Sequence, residues 1–117
     1  PNWKNIKPVE GEADLVPGIR AIPAHGHTQG HTAHLISSGG QQLLATADAT
    51  NIQSLFVRNP DWQVQFDHVP ELAIETRKRL FDRAIADKAM VSGYHWGLPN
   101  VGTITKDGNS YVFTPAA

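Results

Sequence analysis

Four of the six histidines of this chain, His25, His27, His31 and His34, fall within ten residues. The stretch reads Ala24-His25-Gly26-His27-Thr28-Gln29-Gly30-His31-Thr32 and runs on to His34. Neutral imidazole is the commonest protein ligand for zinc and similar ions, and the two glycines let the backbone turn sharply between the rings. Cysteine is absent, so any ion must be held by His, Asp or Glu. One histidine of the loop is expected to be a ligand, with the others supporting it or facing elsewhere. Three positions share a further signature, a ligand-type side chain just past the C-terminal end of a predicted strand. They are His27, Asp48 and His95. Neighbouring strands can bring such ends together, so two imidazoles and one carboxylate would meet at the rim of a sheet. A carboxylate can bridge two cations, which at roughly 3.5–4 Å apart activate a shared hydroxide. Each residue also has a plainer role open to it. His27 could cap a turn, Asp48-Ala49-Thr50 would suit an Asx-turn or helix cap, and His95 could pack with Tyr94 and Trp96.

The elements that must position these residues are legible as periodicity and turns. Residues 1–18 are rich in Pro, Gly and charge, with a short strand expected at 6–10 and a turn at Val16-Pro17-Gly18. Residues 19–24 read as a strand entering the histidine loop. Residues 31–37 and Gln41–Ala47 flank Ser38-Gly39-Gly40 and read as a β-hairpin. Residues 51–68 are mixed, with a turn at Asn59-Pro60-Asp61; their aromatics Phe56, Trp62 and Phe66 suggest a packed loop.

The spacing then predicts one long helix over Pro70–Asp87. Val69, Leu72, Ala73, Thr76, Leu80 and Ala84 recur with a period near 3.6, and Ile74, Phe81 and Ile85 form a second stripe. Proline suits a first turn, and Glu71 and Glu75 suit its positive end. Asp67 or a neighbour would be the N-cap. Arg77-Lys78-Arg79 reads as a solvated face, with Glu75 placed to pair with Arg79. A buried strand over 88–92 leads to His95, and strands over 101–106 and 110–114 close a hairpin around Asp107-Gly108-Asn109. Strands, one long helix and more strands give an α/β or α+β layer with an antiparallel or mixed sheet.

At 117 residues and 40% hydrophobic, the chain holds at most one domain with a modest core. A net charge of −1 offers no footprint for nucleic acid or an anionic membrane, and no apolar run approaches bilayer-spanning length. The chain opens at Pro1 and its one methionine is Met90, so a piece of a longer translation product is expected.

Gly26-His27-Thr28-Gln29-Gly30-His31 resembles the G-H-T-x-G-H loop of the metallo-β-lactamase-fold hydrolases. Ala47-Asp48 resembles the aspartate ending the next strand of that family, and His95 fits its last metal histidine. The resemblance runs over the whole chain and is closest to the branch of methyl parathion hydrolase and related lactonases. That branch has a His-x-Pro-Phe-Pro-Gly-like stretch where this chain has His95-Trp96-Gly97-Leu98-Pro99-Asn100-Val101-Gly102, which keeps one proline and one glycine.

The resemblance implies that residues 1–117 are the C-terminal half of one four-layer αββα sandwich domain. It also implies two divalent ions, zinc first, with iron, manganese or cobalt admitted by the donors. His27 would complete the first ion's ligands, Asp48 would bridge both and take part in catalysis, and His95 would bind the second. His31 would stand behind them as a supporting hydrogen-bond partner. His25, His34 and His68 receive no role. Phe56, Phe66 and Trp96 could line a substrate pocket or simply pack.

The implied reaction is attack by a bridging hydroxide on an ester-like bond of a lactone, carboxylic ester or organophosphate, with no protein nucleophile. The family's other signature, H-x-H-x-D-H, does not occur here. The missing N-terminal half would therefore be the chain's partner, and the fragment alone would bind metal weakly and not turn over. Its uncovered sheet would also drive self-association. The rival reading is a non-catalytic interaction module binding a partner chain through the half-fold.

Overall fold

The computed structural model describes residues 4–116. Seven strands form one sheet in sequence order: β1 (Ala13–Val16), β2 (Ile19–Pro23), β3 (Thr32–Ser38), β4 (Gln41–Ala47), β5 (Met90–Gly93), β6 (Val101–Asp107) and β7 (Ser110–Pro115). The architecture is α+β with a mixed sheet and one long helix, as the sequence pattern predicts. Neighbouring strands are antiparallel except β4 and β5, which are parallel. A parallel step needs a long crossover. The chain between β4 and β5 supplies it and carries α1 (Gln53–Phe56) and α2 (Pro70–Asp87). Two antiparallel steps separate β2 from β4, so β2, β4 and β5 all run the same way. Their C-terminal ends, followed by His27, Asp48 and His95, lie along one edge of the sheet.

Register sorts the side chains into two faces. Arg20, Leu35, Leu44, Val91 and Gly102 are successive cross-strand partners. This row faces α2, where Leu35, Leu44 and Val91 join Ile22, Ile104, Leu80, Phe81 and Ala84 in the core. The next row, Ile19, Ile36, Leu43 and Met90, is displaced by one residue and therefore faces away from the helix.

Several local expectations shift. Residues 6–10 form no strand, and the first strand is β1. β1 has a partner across the Pro17-Gly18 turn, where Gly18 takes φ 84°; residues 6–10 lie upstream of that pairing. Helix α1 interrupts the loop that the pattern leaves irregular. Lys88 adopts a left-handed conformation (φ 53°) that ends α2, so β5 begins at Met90. Of the N-cap alternatives, Asp67 or a neighbour, the structure takes the neighbour Val69, with no side-chain cap.

The solvated reading of Arg77 is also overturned. The residue is 2% exposed, and the buried face of α2 is Ala73, Thr76, Arg77, Leu80, Phe81 and Ala84, while Val69 and Leu72 are exposed. Arg79 donates to the Pro23 carbonyl at 2.5 Å, not to Glu75.

Candidate metal centre

The histidine loop is built against the start of α2. Ala24 N–H donates to the His31 carbonyl at 2.8 Å and closes the loop. Val69 N–H donates to Gly26 O (2.9 Å), His68 N–H to His27 O (3.1 Å), and the Thr76 hydroxyl to His25 O (2.7 Å). Gly26 sits at φ 129°, and a Cβ there would lie 2.3 Å from the Ala73 nitrogen. Only glycine lets the loop lie this close to the helix.

That docking fixes His27. Its Nδ1 is 2.9 Å from Oδ1 of Asp67, whose side chain is only 2% exposed. A carboxylate oxygen accepts, so Nδ1 carries the proton and the Nε2 edge of the ring is turned away from Asp67. His31 spends both nitrogens on the backbone: Nδ1–H donates to Ala24 O at 2.9 Å, and Nε2 accepts the Asp48 N–H at 3.0 Å. Burial pushes the His31 imidazole below its ordinary value, in keeping with the neutral form that this pair of bonds requires. The His27 and His31 rings meet edge to face, with centroids 5.6 Å apart.

Asp48 is aimed by an irregularity in its strand. The β4–β5 register slips between Ala45 and Ala47, and Ala47 takes φ 49°. Such a bulge redirects the residue that follows it. The Thr46 hydroxyl holds Ser92 O at 3.0 Å just before the slip. The Asp48 carboxylate then meets His95, with Oδ1 to Nε2 at 2.8 Å and the His95 side chain 56% exposed. The turn after β5 needs Gly93, because a Cβ there would lie 2.5 Å from the Trp96 ring.

The edge therefore brings Asp48 and His95 into direct contact and holds His27 beside them through His31. Among the described residues no three His, Asp or Glu side chains converge closely enough to hold an ion. The donor types, two imidazoles and a carboxylate, suit a divalent ion such as zinc. The carboxylate behind His27 is the arrangement by which metal-binding histidines are commonly oriented. These donor types fit a share of such a centre's ligands.

The aromatic positions separate. Phe56 is buried beneath the Arg77 guanidinium, 5.0 Å from its ring centroid, and Trp96 is buried against Phe113. Both fill core positions instead of an open pocket. Phe66 is 59% exposed and remains available as a wall. His25 and His68 are exposed, and His34 lies within β3. Two residues of the site carry no local signal in the sequence, Asp67 and Arg77. Arg77 donates from Nε to Ala49 O at 3.0 Å, and from Nη1 to Pro60 O at 2.6 Å and Trp62 O at 2.9 Å. It thereby anchors the residue immediately after Asp48.

No family model matches the chain. Two curated relatives are N-acyl homoserine lactonases, from Bacillus sp and Bacillus cereus, each 33% identical over 88 residues. The match takes in 74% of this chain and 34% of theirs, so the chain spans about a third of their length. Among solved structures, the dizinc quorum-quenching lactonase AidC, in complex with a product, superposes with a TM-score of 0.83 at 26% identity. It covers 90% of this chain and 36% of AidC. The hydrolase AbOPH of the β-lactamase superfamily gives 0.81 at 25% identity, over 89% of this chain and 36% of its own. The sheet with its crossover helix, the loop, aspartate and histidine at one edge, and these relatives agree: the chain has the metallo-β-lactamase fold and is similar to the lactonases that share it.

Proposed function

We propose that this chain is the C-terminal half of one metallo-β-lactamase-fold domain, and that the complete protein is a metal-dependent hydrolase of an ester-like bond, a lactone before other esters or organophosphates. The observation that carries the reading is the Asp48–His95 contact at 2.8 Å, on the same sheet edge where Asp67 holds His27 through Nδ1. His27 and Asp48 would serve one ion, Asp48 and His95 the other, and donors from outside the chain would complete both. When bound, two such cations polarise the scissile group and make water nucleophilic at neutral pH.

The chain's own residues orient and exclude. His31, with both nitrogens engaged, fixes the backbone at Asp48. Arg77 fixes the Ala49 carbonyl that follows it. Asp48 would take part in moving a proton between the attacking and leaving groups, and His95 is the most exposed of the three donors. Phe66 offers apolar surface to the substrate.

The test is complementation. The chain is mixed with a polypeptide carrying the family's H-x-H-x-D-H half and with zinc, and ring-opening of an N-acyl homoserine lactone is followed by acid release. Hydrolysis is expected from the mixture, with little from either part alone, and Asp48→Asn should abolish it. A mixture no more active than its parts, with two zinc ions absent from the complex, overturns the reading and favours a non-catalytic module.

A further inference from the structure

Asp67 lies 40 residues beyond His27 in sequence and outside the histidine loop. Its side chain is 2% exposed, and a carboxylate buried to that degree is costly unless it is hydrogen-bonded and its charge is met. Two groups answer it. His27 supplies Nδ1–H at 2.9 Å. The other is Arg77, whose guanidinium is pushed below its ordinary value by burial and held up first by the negative charge of Asp67. The second carboxylate oxygen, Oδ2, has no hydrogen-bond partner among the described residues. The geometry is rigid on both sides. His68 and Val69 clamp residues 26–27 by backbone bonds, and Asp67 N–H itself donates to Val64 O at 3.1 Å. Arg77 is fixed by the carbonyls of Ala49, Pro60 and Trp62.

We infer that Asp67 is a positioning residue, locking His27 as the Nδ1–H tautomer so that Nε2 presents its lone pair at the sheet edge. An unsupported imidazole could rotate or take the other tautomer, and each metal-binding event would first have to reverse that choice. This assignment rests on the metal-centre reading above for its purpose, though not for its geometry.

The tautomer is read in the metal-free chain by long-range proton–nitrogen NMR on the histidine rings. Wild type is expected to show His27 protonated at Nδ1 and bare at Nε2. Asp67→Asn keeps an acceptor oxygen and should preserve that pattern; Asp67→Leu should lose it. Zinc alone is then the probe in chelator competition, with the chain mixed with the H-x-H-x-D-H half. Asp67→Leu should weaken binding by about 10–100-fold, and Asp67→Asn should recover most of the loss. A wild-type His27 protonated at Nε2 overturns the inference without any variant, whatever the folding of Asp67→Leu. An unchanged tautomer or zinc affinity in a folded Asp67→Leu overturns it as well. Failure of the metal reading shows differently, as a wild-type mixture with the H-x-H-x-D-H half that takes up no zinc while the tautomer pattern stands.

Discussion

Gly26 is where one missing methyl group decides the site. Its φ of 129° and the 2.3 Å approach to Ala73 N mean that Gly26→Ala must move either the histidine loop or the helix. The backbone conformation alone costs more than about 1 kcal/mol, and the overlap should bring the total to roughly 3 kcal/mol. Gly30, in the same loop with nothing within 4 Å, is the internal control: Gly30→Ala should stay within about 0.5 kcal/mol of wild type. Urea titrations of both variants check this, and equal stabilities would contradict the docking of loop on helix.

At this scale the sequence revealed side chains whose type and position are both local. His27, Asp48 and His95 each follow a strand and each carry ligand chemistry. Asp67 and Arg77 were illegible because their meaning lies in partners 40 and 28 residues away. Arg77 sits inside Arg-Lys-Arg, and nothing nearby in sequence says that one member of the run turns inward while Lys78 pairs at the surface with Asp61.

The elements were legible where pairing is short-range. The β3–β4 and β6–β7 hairpins each consist of two apolar-patterned runs about a glycine turn, and α2 is one long amphipathic stretch ended at a left-handed residue. β1 was misplaced because its pairing partner, not its own composition, selects the strand.

The packing of β7 on α2 has a pH signature. Tyr111 is 1% exposed, and its hydroxyl donates to Asp82 at 2.8 Å. Burial first, then the hydrogen bond to Asp82 and its charge, pushes its phenol up to about 12 from 10.0. In the unfolded chain the phenol ionises near its ordinary value, so between those limits the folded state holds the proton more tightly. Its stabilising contribution is complete below pH 10 and is lost as pH rises towards 12, a change of order 2 kcal/mol. Tyr111→Phe should flatten that alkaline loss relative to wild type. Thermal melts across this range check it, and parallel curves for the two proteins would refute it.

Taken whole, the molecule is a sheet with a helix on one face and a row of apolar side chains on the other. Ile19, Ile36, Leu43 and Met90 align across four strands. Ile36 is exposed and the others are only partly covered. In a sandwich such a face lies against a second sheet. Among the described residues no second sheet lies against this face. Exposed apolar surface of this kind promotes association. Sedimentation of the isolated chain should therefore show weight-average mass rising with concentration. Ile36→Lys places a charge in the middle of the row, where pairing two copies would bury it unpaired, and should shift the population towards monomer. The change lies on the face away from α2, so the helix-side core and the His27–Asp67 contact should persist in its spectra. A wild-type chain that stays monomeric throughout, or an Ile36→Lys chain that associates equally well, would show that this face is not what the rest of the fold covers.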